Sequence, residues 1–193
     1  MILYTINGSG SDSVLALAKC LNIELEVRPR SEFRPALEAV NPRATVPTLV
    51  ESQDTAITET ATILRLLARR HGPELLGESE YIQTKVDELV GFMSTVVYQG
   101  YLLKFRPEFY TSVEAHYPAV GEKALQVLKS NLQSWEFFLT GSQYLVGDKL
   151  TIADFYAYVL LKWQSNIAPL NETDTPKLFH YWNTLKALEY FKK

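Results

Sequence analysis

The run Asn41-Pro42-Arg43-Ala44-Thr45-Val46-Pro47-Thr48-Leu49-Val50, followed closely by Glu59-Thr60 and an apolar-stepped segment, restricts this chain more than any other stretch. Pro47 opens a short apolar run that reads as a strand, and a proline is accepted there only at the first residue or on a sheet edge, where no ladder N–H is needed. The backbone beside Val46 is therefore expected to be free. Ile63, Leu64, Leu66 and Leu67 step as a helix with Thr60 as its cap. Unpaired N–H groups and the positive end of the macrodipole favour a carboxylate at that point. An open strand edge beside it would accept an extended peptide by strand addition.

The joint pattern is more specific than its parts. Asn-Pro, two residues, Thr-Val-Pro-Thr-Leu, then Thr-Glu-Thr before an Ile-Leu-Arg helix resembles the glutathione site of the glutathione transferase family. The resemblance implies a cis peptide bond at Pro47, pairing of the Val46 backbone with the cysteinyl part of glutathione, and a γ-glutamyl group held by Glu59 and Thr60. Thr60 stands where the family usually has serine and keeps the hydroxyl. Arg43, in the segment before the proline, is the candidate for the glycine carboxylate.

The other properties of the chain fit a globular protein of that kind. Its 193 residues can bury a core without disulfides or metal. Nineteen basic against 22 acidic side chains leave no basic stripe, so neither nucleic acid nor a membrane surface is expected as a partner. A single cysteine, Cys20, suits a reducing compartment, and no basic-then-apolar leader or membrane-length run is seen, so a cytoplasmic location is expected.

Ile2 to Thr5 reads as a strand, Asn7 to Ser13 as a loop, and Val14, Leu15, Leu17, Ala18 and Leu21 as the apolar face of a helix. Ile23 to Val27 alternates as a second strand, which completes a right-handed βαβ unit. Residues 28 to 43 read as irregular, with one helical turn near Pro35 to Ala39. The Pro47 strand, a turn at Ser52 to Asp54, a strand near Ala56-Ile57 and the Thr60 helix follow. The order is βαβαββα, the thioredoxin-like arrangement of the family.

His71-Gly72-Pro73-Glu74 stops that helix. The expected organisation is a thioredoxin-like unit at 1–73, a linker at 74–79 and an all-helical unit at 80–193. Beyond the linker, Val86, Leu89, Val90, Met93 and Val97 step at helical spacing, as do Ala124, Leu128, Leu132, Trp135 and Leu139. Thr151 and Asp154 have capping-box spacing, with Leu150 and Phe155 as a hydrophobic staple. The same motif occurs in the family's C-terminal domain, so the resemblance covers essentially the whole chain.

Glutathione chemistry needs a thiolate. A cysteine-type thiol has a pKa of about 8.5, and lowering it by roughly two units takes about 2.7 kcal/mol of preferential stabilisation. A hydroxyl donating to sulfur at the positive end of the first helix would supply it. In the serine-using classes that donor follows the first strand, and Gly8-Ser9 with Ser13-Val14-Leu15 resembles the delta-class pattern, one residue shorter. Ser9 is the first candidate, Ser11 the second, and Tyr4 the third by analogy with the tyrosine-using classes. Tyr98, Tyr101, Phe105 and Tyr110 fall where the family's hydrophobic second-substrate pocket lies. No metal or redox cofactor is implied, since His71, His116 and His180 lack ligand spacing.

Two functions remain open. One is a homodimeric glutathione transferase that conjugates glutathione to a small hydrophobic electrophile. The other is a non-catalytic module of the same fold, as in the elongation factor gamma subunit. The turn Ser52-Gln53-Asp54 has no aromatic lock residue, so a dimer would use a polar contact there.

Overall fold

A computed structural model describes residues 1–52, 55–139 and 143–192. Four strands, β1 (Ile2–Thr5), β2 (Glu26–Pro29), β3 (Thr48–Val50) and β4 (Ala56–Thr58), form a mixed sheet in the order β2-β1-β3-β4. β1 runs parallel to β2 and antiparallel to β3, with Tyr4 opposite both Arg28 and Thr48. Helices α1 (Ser11–Cys20) and α3 (Thr60–His71) pack together, and α2 (Arg30–Val40) packs on β1 and β2. Alternation along β1 sends Leu3 into the large core with Val14, Leu17 and Ile63, and Tyr4 into a smaller cluster with Leu37, Ala44 and Val50.

The helical part comprises α4 (Glu80–Phe92), α5 (Tyr98–Phe105), α6 (Tyr117–Phe138), α7 (Ile152–Ile167) and α8 (Pro176–Ala187). A π-helical turn, Met93–Val97, joins α4 to α5. Such turns shift the register of the following helix face, and here one sits immediately before the aromatic residues of α5. α7 is the central element. Ile152, Ala153, Phe155, Ala157, Val159, Leu160 and Leu161 are all fully buried, and α7 packs on α1, α3 and α4. Together with α1 and α3 it builds one continuous core across both halves. No helix among the described residues is long and apolar enough to cross a membrane.

The start of α7 is held by a buried carboxylate. Asp154 Oδ2 accepts from the Thr151 N–H at 2.7 Å and the Thr151 hydroxyl at 3.0 Å, which with the return bond to Thr151 makes the capping box. Asp154 Oδ1 accepts from the Leu145 N–H at 3.0 Å and the Tyr181 hydroxyl at 2.7 Å. One side chain thus starts α7, ties down the preceding loop and anchors α8.

Four expectations change. β2 begins at Glu26 rather than Ile23, because α1 ends in a turn with Asn22 at φ 54 and the chain must travel from the helix end back to the sheet. Ile23 and Leu25 spend their apolar surface on the core from that crossing. Residues 30 to 40 are helical, with the break at Phe33 (φ −120, ψ 22), two residues before Pro35. Phe33, Leu37 and Val40, spaced at four and three, are the apolar face that the proline and the charges obscured. β3 starts after Pro47 and lies inside the sheet, so the open edge is confined to the residue before it. Thr60 is the first helical residue, not the cap; Glu59 holds the cap position at φ 68. The turn residues Gln53 and Asp54 lie outside the described residues.

Asp154→Asn would turn an NH2 group toward donors that now meet an oxygen. Urea unfolding should show a loss of about 3 kcal/mol, and an unchanged midpoint would mean that the box does not hold α7.

Candidate functional site

Three segments distant in sequence meet at one place. The first is the loop from Ile6 to Gly10 that leads into α1. The second is Val46 and Pro47, joined by a cis peptide bond. The third is the start of α3 at Glu59 and Thr60. Gly10 marks the contact: a Cβ there would overlap Thr60 Oγ1, with Pro47 Cδ only 3.5 Å away. A side chain at this position would force the Thr60 hydroxyl to move.

The middle segment is braced by an asparagine that the sequence presented only as part of a motif. Asn41 Nδ2 donates to Thr48 Oγ1 at 2.9 Å and to Thr45 Oγ1 at 3.1 Å, and Thr48 Oγ1 donates to the Thr45 carbonyl at 2.8 Å. Asn41 is buried, so these bonds shape the loop and set Val46 in place. Among the described residues the Val46 N–H and C=O have no partner. Both are available for antiparallel pairing with an extended ligand.

Glu59 and Arg43 form an ion pair at 2.7 Å, with side chains 66% and 64% exposed. An exposed pair of this kind holds with about 0–1 kcal/mol. A ligand ammonium can therefore take the place of the guanidinium at little cost. The pairing puts the Arg43 guanidinium beside Glu59.

The three candidate donors differ sharply in position. The Ser9 hydroxyl is 2.7 Å from the Ile6 carbonyl and 2.9 Å from Ser11 Oγ. Ser9 is partly exposed, while Ser11 is fully buried in the first turn of α1. A ligand sulfur can meet Ser9; Ser11 is placed to hydrogen-bond Ser9 from behind. Tyr4 is buried on the α2 side of the sheet, its hydroxyl 3.5 Å from the Arg28 guanidinium, which separates it from the α1 terminus. Cys20 is half-buried at the far end of α1, where burial pushes its thiol up, so it stays protonated.

The aromatic cluster is organised around a residue that sequence reasoning did not single out, Trp163 of α7. Its ring lies 5.6 Å from Tyr101, 6.0 Å from Tyr98 and 6.1 Å from Phe105. Its indole N–H donates to the Gly8 carbonyl at 2.7 Å. Gly8 (φ 77) also gives its N–H to Asp12 Oδ1 at 3.2 Å, and Asp12 pairs with Lys162 at 2.8 Å. Adjacent α7 residues thus hold both sides of the loop that carries Ser9. Only the helical position of Trp163 on α7 was legible in advance, since its partner lies 155 residues away.

Of the four residues expected to line a pocket, Tyr101 does not line one. It is fully buried and donates to Gln164 Oε1 at 3.3 Å, and burial pushes its hydroxyl far up. Phe105 and Tyr110 are about half exposed, and Tyr98 is partly so. Burial, and then the negative charge of Glu59, raise Tyr98; burial pushes Tyr156 up to about 12 against a hydrogen bond with Ser94. Both phenols are protonated at neutral pH.

The model "Glutathione S-transferase, N-terminal domain" matches residues 3–75 and "Glutathione S-transferase, C-terminal domain" residues 92–189. The chain belongs to the glutathione S-transferase family. It is 29% identical to glutathione S-transferase GstA of Escherichia coli O157:H7 over 82% of this chain and 74% of that protein. It is 28% identical to a probable elongation factor 1-gamma 1 of Arabidopsis thaliana over 80% of this chain, but spans only 38% of that protein's length. Among solved structures, a glutathione transferase homologue from Sulfitobacter with bound glutathione superposes with a TM-score of 0.89 at 17% identity, covering 98% of this chain and 94% of that one. That likeness is one of fold.

Trp163→Phe keeps the ring and removes the donor to Gly8. Hydrogen exchange should show the Ser9 amide opening about tenfold faster, with a stability loss of about 1 kcal/mol; unchanged exchange would mean that α7 does not restrain the loop.

Proposed function

We propose that this protein binds glutathione between the α1 and α3 termini and activates its thiol for conjugation to a small hydrophobic electrophile. The observation that carries the reading is the convergence of the Ser9 loop, the free Val46 backbone and Glu59-Thr60 on one spot, where a Cβ at Gly10 would overlap the Thr60 hydroxyl. In this reading the Val46 backbone pairs with the cysteinyl residue and Glu59 accepts from the γ-glutamyl ammonium in place of Arg43. The Thr60 hydroxyl and the N-terminal N–H groups of α3 take the γ-glutamyl carboxylate.

The sulfur then faces Ser9. To donate to it, the Ser9 hydroxyl turns away from the Ile6 carbonyl and exchanges one hydrogen bond for a charge-assisted one. The buried Ser11 hydroxyl can follow by donating to Ser9 Oγ. The thiolate attacks the electrophile, and the leaving group or the opened bond takes up the proton from solvent. Tyr98 and Phe105 supply apolar surface on the far side of the cleft. A homodimer in the cytoplasm, working without metal or redox cofactor, completes the proposal.

A second reading is a protein-contact module of the same fold. It is favoured by the similarity to the elongation factor 1-gamma relative, of which this chain spans a minor part. Under it, glutathione affinity is weak or the bound thiol is not ionised.

Calorimetric titration with glutathione, with the ultraviolet spectrum of the bound thiol followed from about pH 5 to 9 around the free thiol pKa, separates the two. A transferase gives saturable binding with thiolate present below neutrality. Glu59→Ala should lose about 1.5–3 kcal/mol of binding free energy, roughly tenfold to over a hundredfold in affinity. Unchanged affinity would refute the site. Ser9→Ala should leave affinity nearly intact and raise the bound-thiol pKa by about one to two units, so that turnover climbs only at higher pH. A pKa that moves in Ser11→Ala but not in Ser9→Ala would assign the donor to Ser11.

A further inference from the structure

α4 and α5 would run on as one helix but for the π turn Met93–Val97 between them. The bend begins locally. The Ser94 hydroxyl donates to the Val90 carbonyl at 2.7 Å and the Thr95 hydroxyl to the Gly91 carbonyl at 2.8 Å, and hydroxyls bonded back to the carbonyl four residues earlier bend a helix. One residue more or less in such a turn rotates the following segment by about 100°, the arc of a single helical residue. That rotation decides which face of α5 meets α7. As it stands, Tyr98, Tyr101 and Phe105, spaced at three and four, all lie against Trp163, at 6.0, 5.6 and 6.1 Å.

One tertiary hydrogen bond reaches into the turn itself. Asn131, on α6 and only 7% exposed, donates its Nδ2 to the Val96 carbonyl at 3.1 Å, across 35 residues of sequence. A buried amide is costly unless it is paired, and the partner here is a backbone acceptor inside the π turn. Gly100 lets α6 come close: a Cβ there would lie 2.8 Å from Leu128 Cδ2 and 3.2 Å from Asn131 Nδ2, so a side chain at that position would displace Leu128 or the amide. From α7, Tyr156 hydrogen-bonds Ser94. The turn packs on both helices, with Met93 and Val97 fully buried.

We propose that Asn131 is a positioning residue for the electrophile side of the site. By holding the Val96 carbonyl it sets the rotation of α5, which keeps Tyr98 and Phe105 on Trp163, and Trp163 in turn holds the Gly8 carbonyl beside Ser9. The catalytic consequence rests on the conjugation reading above; the geometric one does not. Loss of the amide loosens the aromatic wall and leaves the Val46 and Glu59-Thr60 sides of the glutathione site unaltered.

Asn131→Leu keeps the volume and removes the donor. Heteronuclear NMR follows the Trp163 indole N–H, assigned by its absence in Trp163→Phe, and hydrogen exchange follows the backbone amides. The indole N–H and the amides of residues 98 to 105 should exchange about tenfold faster, while those of β1, α3 and α8 keep their wild-type rates. With 1-chloro-2,4-dinitrobenzene as the electrophile, its KM should rise by about threefold to tenfold and the glutathione KM stay within about twofold. Gly100→Ala, which leaves the amide present but crowds it, should speed the same exchange, and it carries the comparison should Asn131→Leu fail to fold. Leu185→Ala, a loss of core packing on α8, should leave the indole exchange at its wild-type rate. Unchanged indole exchange in Asn131→Leu, equal acceleration along the whole chain, or the same indole acceleration in Leu185→Ala overturns the proposal. A glutathione KM that rises in step with that of the electrophile overturns its catalytic half. A wild-type protein that neither binds nor turns over glutathione refutes the conjugation reading instead, and the indole exchange still decides whether Asn131 positions α5.

Discussion

The buried carboxylate of Asp154 is the interaction on which the arrangement depends. Taking a charge out of water is costly, and it is tolerated here because four donors converge on two oxygens. Those donors come from the residue before α7, the preceding loop and α8. One satisfied charge therefore fixes where α7 starts and, through the fully buried residues that follow, how it lies against α1 and α3. At the far end of the same helix, Lys162 and Trp163 reach the loop before α1. A folding motif at one end of α7 and the geometry of the candidate site at the other are linked by a rigid element about four turns long.

The site itself is built from weak, displaceable interactions on a stiff frame. The frame is the Asn41 network, the Gly10 approach and the Trp163 bond, all buried or partly buried. The displaceable parts are the exposed Arg43–Glu59 pair and the Ser9 hydroxyl on the Ile6 carbonyl, each costing on the order of 1 kcal/mol to exchange. A ligand ammonium and a thiolate can replace these partners without disturbing the frame.

The fold class was legible because its signals are local. Pro47 before an apolar triplet, Glu59-Thr60 before an apolar-stepped helix, and the Thr151–Asp154 spacing each combine a turn or cap requirement with a hydrophobic period. Local reading failed where two demands met in one stretch. In α2, Pro35 and the surrounding charges masked the spacing of Phe33, Leu37 and Val40; at Ile23 to Leu25, strand-like alternation served a crossing segment packed on the core. Thr60 reads as a cap by residue type, yet Glu59 at φ 68 takes that place and leaves the Thr60 hydroxyl facing Gly10.

The sequence by itself determined which residues could start helices and strands, which faces had to be buried, and which groups could bind an anion or polarise a thiol, because these depend on side-chain chemistry and spacings of two to four residues. Only the tertiary structure decided that Tyr101 is core, that Tyr4 lies behind the sheet, that Ser9 rather than Ser11 is reachable, and that Trp163 closes on Gly8. Those outcomes rest on contacts between residues far apart in the chain, and such contacts are set by how α7 and the sheet pack, which no local period encodes.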